Sequence, residues 1–103
     1  MDDLDQDLTV SVERDEGVPV VTITGELDAA SADAVGAPLQ DAIDAGGGLV
    51  LDLLGCGFLD STGLHAIIDA ESAVVSRGGR FAIACRPGGA VARTLDVALP
   101  GML

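Results

Sequence analysis

From Leu8 onward hydrophobic and polar residues alternate, with Leu8, Val10 and Val12 on one face of an extended chain and Thr9, Ser11 and Glu13 on the other. That period of two is the signature of a half-buried strand. Asp15-Glu16-Gly17 reads as a turn, and a second strand over residues 18–24 sets Val21 and Ile23 against Thr22 and Thr24. The two strands are expected to form an antiparallel hairpin, with Gly25 ending the second. After Glu26-Leu27-Asp28 the spacing changes. Val35, Leu39 and Ile43, four apart, make the inward stripe of a helix that Ser31 caps and Gly46-Gly47-Gly48 stops. Pro38 lies inside it, where a missing N–H and a crowded preceding turn predict a kink or a late start.

Residues 49–53 follow as a nearly continuous apolar strand, the form taken by a central strand covered on both faces. A second helix starts after Asp60 and runs to about Arg77, presenting Leu64, Ile67, Ile68, Val74 and Val75 inward, and Gly78-Gly79 closes it. Residues 80–85 alternate Phe81, Ile83 and Cys85 against Ala82 and Ala84. Pro87-Gly88-Gly89 then leads to a last helix carrying Val91, Leu95 and Leu99, which Pro100-Gly101 breaks. The order strand, strand, helix, strand, helix, strand, helix predicts an α/β fold. Its mixed sheet joins an N-terminal antiparallel hairpin to a parallel βαβαβ part, packed with helices.

At 103 residues the chain is one domain. Residues 1–7, four of them Asp around one Leu, are expected to form a flexible acidic tail, and residues 8–103 the domain. With no Trp or Tyr and only 2 Phe, the interior must be built from Val, Leu, Ile and Ala. Charge narrows the function further. Seventeen acidic residues against five basic ones give a net charge of -12, which would repel a polyanion, so nucleic acid is excluded as a partner. The same charge, and the lack of a basic amphipathic face, exclude an anionic membrane surface. The longest apolar run, residues 49–59, is interrupted by Asp52 and is about half of the roughly 20 residues a membrane helix needs. The acidic start does not resemble a secretory leader, so a cytoplasmic location is expected. Cys56 and Cys85, far apart and without metal-ligand spacing, read as small buried hydrophobes in a reducing compartment.

Functional groups in an open sheet of this kind collect where strands end and helices begin. One junction stands out, Phe58-Leu59-Asp60-Ser61-Thr62-Gly63-Leu64. Asp60 can cap the helix, Ser61 is expected to be exposed, and Gly63 bares the backbone of the first turn. Taken alone, these are also ordinary helix-start residues. They do not make an enzyme. A nucleophile elbow needs Gly two before and two after the serine, and Leu59 fails the first position. His65, the one histidine, lies a turn beyond Ser61 and reads as solvent-facing, with nothing to orient it as a base. The triple glycine precedes a strand in a chain without Lys, which excludes a Walker loop. Asp41, Asp44 and Asp69 read as solvated helix faces, so no catalytic residue, metal site or cofactor is expected.

The stretches Gly25-Glu26-Leu27-Asp28, residues 49–53, Phe58-Leu59-Asp60-Ser61-Thr62-Gly63-Leu64 and Gly78-Gly79-Arg80-Phe81 resemble the anti-sigma factor antagonists, the bacterial members of the STAS domain family. The resemblance spans residues 8 to about 99. Its most specific part is the Asp-Ser-Ser/Thr-Gly-Leu signature. It implies that Ser61 is phosphorylated by an anti-sigma factor that is itself a serine kinase of the histidine-kinase-like ATPase type. Asp60 would be the acidic neighbour needed for recognition or phosphorylation, and Thr62, Gly63 and Leu64 would complete the docking surface. Gly25, Glu26, Leu27 and Asp28 would form a second docking loop on the same edge. The unphosphorylated antagonist would capture the kinase and free the sigma factor, phosphorylation would release it, and a metal-dependent serine phosphatase would reset the cycle. The alternative within the same family is a scaffold subunit of a stressosome-like or other regulatory assembly. Pro38, Ala98 where Gly is common, His65 where a small residue is common, and an end at Leu103 where many members continue all depart from the family pattern.

Overall fold

The hairpin closes as its turn chemistry dictates. In the computed structural model, which describes residues 8–99, β1 (Leu8–Asp15) pairs antiparallel with β2 (Val18–Leu27) from Leu8↔Gly25 to Asp15↔Val18. The two intervening residues, Glu16 and Gly17, both take positive φ, 54° and 85°, the left-handed pair that matches the twist of adjoining strands. The expected tail over residues 1–7 and the Pro100-Gly101 stop lie outside the described residues.

Gly25 does not end β2. It takes φ 111° at a bulge between Gly25 and Glu26, and the strand continues to Leu27. A partner missing from the sequence reading makes the continuation possible. Residues 56–59, to which the residue pattern assigned no strand, form β4 (Cys56–Leu59) and pair parallel with the second half of β2, from Gly25↔Cys56 to Leu27↔Leu59. The first half of β2 pairs parallel with β3 (Leu49–Asp52), from Val20↔Val50 to Thr22↔Asp52. Thus β2 is shared lengthwise by two successive strands. β5 (Phe81–Ala84) pairs parallel with β3 on its far side, giving the order β1-β2-β3-β5 with β4 on β2.

Helices α1 (Ala32–Asp44) and α2 (Ser61–Ser76) pack on each other and on the sheet face carrying Val21, Ile23, Leu49, Leu51 and Leu53. All five are essentially inaccessible. The opposite face of β3 is not sealed as the apolar run suggested, since Val50 and Asp52 are half-buried; burial follows the pleat, one face at a time. The stripe Val35, Leu39 and Ile43 on α1 is buried as its spacing predicts. The late start anticipated from Pro38 does not occur, because α1 begins at Ala32 and runs through Pro38. Ala34, whose carbonyl loses its partner N–H, is on the solvent side where water can replace it. On α2 the buried set is Gly63, Ile67, Ala70 and Val74, a 3.6-residue stripe that leaves Val75 half-exposed and Leu64 and Ile68 at the margin. At the sheet edge Val12 is likewise exposed rather than inward. Helix α3 (Ala90–Ala98) lies against β4 and drives Val91 and Leu95 into the core.

Candidate functional site

The carboxyl ends of β2 and β4 lie side by side, so the chain segments that leave them are neighbours from their first residue. Asp60 holds both. Its backbone N–H donates to the Leu27 carbonyl at 3.2 Å, its Oδ1 accepts from the Gly63 N–H at 2.9 Å, and its Oδ2 accepts from the Ala29 N–H at 3.1 Å. The Gly63 bond is the N-cap expected of this residue. The Ala29 bond reaches across to the loop between β2 and α1. Gly63 is where the two segments touch most closely, since a Cβ there would fall 2.5 Å from the Leu27 carbonyl oxygen.

The β2–α1 loop is also fixed from within. Asp28 Oδ1 accepts from the N–H groups of Ala30 and Ser31, each at 3.1 Å, and the Ser31 N–H and the Asp28 carbonyl close a turn at 3.1 Å. Ser31 stands at the N-cap position of α1, but its side chain caps nothing; its hydroxyl accepts from the Asp28 N–H at 3.0 Å and donates back to the Glu26 carbonyl at 2.8 Å. The cap predicted for Ser31 is therefore spent on the loop, and Asp28 arranges the start of the helix.

This geometry sorts the expected site residues. Glu26, Ser61 and Thr62 are exposed, and Gly25, Asp28, Asp60 and Leu64 are half-buried at the surface. Leu27 and Gly63 are buried, so they shape the surface only through their backbone. Ser61, the first residue of α2, is exposed and directly follows the N-cap Asp60. The positive end of the α2 dipole lies at the same place. His65 is exposed one turn further on, and among the described residues no side-chain hydrogen bond joins it to Ser61. Ala29 has no residue-type signal and was not foreseen, because its contribution is a backbone N–H.

The rest of the surface offers little chemistry. A cleft of about 330 Å³ between residues 54–57 and the start of α3 is lined by Leu54, Arg86 and glycines, with the Cys56 thiol below. Burial pushes the Cys56 thiol above its ordinary value, and its Sγ lies 3.3 Å from the Phe58 carbonyl. Burial, and secondarily the Asp96 carboxylate, raise half-buried Cys85 as well. Neither is an activated nucleophile. Among the described residues no group of His, Cys, Asp and Glu is placed to hold a metal ion, and no helix is long and apolar enough to cross a membrane.

The profile of the STAS domain matches residues 9–98. The chain belongs to the STAS domain family. An anti-sigma F factor antagonist of Paenibacillus polymyxa is 33% identical over 92 residues, 87% of this chain and 78% of that protein. The crystal structure of an anti-sigma factor antagonist from Mycobacterium paratuberculosis superposes with a TM-score of 0.75 at 28% identity, covering 90% of this chain and 83% of that one. The Bacillus cell fate determinant SpoIIAA in its phosphorylated form gives 0.72 at 19% identity, covering 90% and 86%, a likeness of fold. The STAS assignment agrees with the mixed sheet and three helices.

Proposed function

We propose that this STAS domain is an anti-sigma factor antagonist whose unphosphorylated form binds an anti-sigma serine kinase of the histidine-kinase-like ATPase type in the cytoplasm. Phosphorylation of Ser61 switches that binding off, and a metal-dependent serine phosphatase restores it. The observation that carries this reading is the exposed Ser61 hydroxyl on the first turn of α2, set beside Asp60 and the fixed loop of Glu26 and Asp28. The Paenibacillus polymyxa relative, named for its action on an anti-sigma factor, supports it.

Magnitudes indicate how the switch works. A phosphate adds about -1.5 to -2 charges, little beside the -12 the chain already carries. Physiological salt screens distant charges over about 8 Å. The effect is therefore local. Forcing an unpaired dianion into a dry interface costs several kcal/mol, enough to weaken a complex by roughly a thousandfold. The test is to incubate the protein with a purified anti-sigma kinase of its source bacterium and ATP, map the modified residue by mass spectrometry, and measure kinase affinity before and after. Phosphate on Ser61 with loss of affinity, and no modification of Ser61→Ala, is the expected result. Unchanged affinity of the phosphoprotein would refute the switch.

A further inference from the structure

Asp60 stands beside the phosphate acceptor, yet both of its carboxylate oxygens are already engaged by backbone N–H groups, one in its own helix and one 31 residues earlier in the chain. We propose that Asp60 is a positioning residue, a latch whose Oδ2 fixes the β2–α1 loop against the start of α2 so that Glu26, Asp28 and Ser61 form one rigid docking face. This deepens the partner-binding reading above and rests on it.

The latch has three parts. The Asp60 N–H and the Leu27 carbonyl continue the parallel ladder one step past the strands, which sets the height of α2 relative to the loop. Gly63 lets the helix backbone lie against Leu27, where any side chain would hold the segments apart. The Asp60 carboxylate then clasps the Ala29 N–H. The loop beyond is stiffened by the Asp28 and Ser31 bonds, so fixing Ala29 fixes the whole segment from Glu26 to Ser31. A carboxylate suits this role better than an amide. It accepts on both oxygens, whereas Asn offers one acceptor and one donor, and its NH₂ would oppose one of the two N–H groups. Asn caps helices as well as Asp does, so Asp60→Asn is expected to keep the local Gly63 bond and lose the distant one.

Ala29 provides a test that leaves Asp60 untouched. It is the second residue of the turn from Asp28 to Ser31, the position proline favours, and it is exposed. Ala29→Pro therefore removes the donor of the latch without altering the Asp60 side chain. In the isolated protein, amide hydrogen exchange of Asp60→Asn should show Ala29 exchanging roughly tenfold to a hundredfold faster, the range for one hydrogen bond to a charged group, with Gly63 still protected. With the purified kinase, Asp60→Asn and Ala29→Pro should each raise the KM for phosphorylation of Ser61 about tenfold with kcat little changed. The double variant should be no worse than either single one, because both remove the same bond. Unchanged exchange at Ala29, or a wild-type KM for a folded Ala29→Pro, overturns the latch. A fall in kcat confined to Asp60→Asn also overturns it, by giving Asp60 a part in the chemistry. If the kinase does not modify Ser61 in the wild type, the partner reading fails while the exchange experiment still decides the latch.

Discussion

Replacing Gly63 with alanine tests the tightest of the described glycine positions. The added Cβ would lie 2.5 Å from the Leu27 carbonyl oxygen and 2.8 Å from both Leu27 Cγ and Leu59 Cδ1. All three sit in the buried junction below the site, and the carbonyl is held by the Asp60 N–H. Relief therefore requires α2 to lift off β2, since neither a backbone oxygen nor two packed leucines can turn away. Overpacking of this kind costs about 1–3 kcal/mol. Alanine returns at most about 1 kcal/mol through its better helix propensity. With backbone as the obstacle the upper part of the steric range applies, leaving a net loss of about 1–2 kcal/mol, or about 4–16 °C in melting temperature for a domain of this size. Gly36→Ala is the control. It lies in the exposed interior of α1 with nothing within 4 Å of its added Cβ, so the same substitution should stabilise by about 0.5–1 kcal/mol. Thermal unfolding followed by circular dichroism measures both. Opposite signs are expected. A Gly63→Ala protein that melts at or above the wild type would refute the packing argument.

Two further outcomes follow from burial. Leu95→Ala, which empties a fully inaccessible position where α3 meets the core, should cost about 2–5 kcal/mol in urea unfolding, and a loss under about 1 kcal/mol would mean that α3 is not part of the cooperative unit. Because burial raises the Cys56 thiol above its ordinary 9.0, the folded chain keeps a proton that the unfolded chain releases. That contribution is complete below pH 9.0 and is lost as the pH rises through the raised value, so wild-type stability should fall more steeply above pH 9.0 than that of Cys56→Ala; equal slopes would contradict it.

The elements that announced themselves did so through periodicity that burial enforces. The four-residue spacing of Val35, Leu39 and Ile43 admits one helical face, and Glu16-Gly17 admits one kind of turn. What was hidden depended on partners distant in sequence. β4 contains Gly57, and glycine weakens any strand pattern; only its ladder with the end of β2 makes it a strand. The same ladder carries β2 past Gly25, which locally reads as a terminator. At the site, Ser61 at a helix start and Asp60 as its cap were legible because capping is a local rule. The bond from Ala29 to Asp60 was not, since a backbone N–H has no residue type. Nor was the diversion of Ser31 into the loop, where it satisfies Asp28 and Glu26 instead of its own helix. Val75 failed for a simpler reason: it is apolar, but it lies a full residue step off the stripe of Gly63, Ile67, Ala70 and Val74.

The lengthwise sharing of β2 also orders events during synthesis. The hairpin of β1 and β2 can close by local contacts as soon as both strands have emerged, but the other edge of β2 stays bare until β3 and then β4 arrive, some thirty residues later in each pairing. Asp60 follows β4 directly and reaches Ala29 only after the ends of β2 and β4 are aligned. A binding partner that must touch the β2–α1 loop and Ser61 together is thereby a proofreader of the sheet. Such a partner would engage chains whose last parallel ladder is in register and pass over nascent or slipped ones, with no separate device for telling them apart.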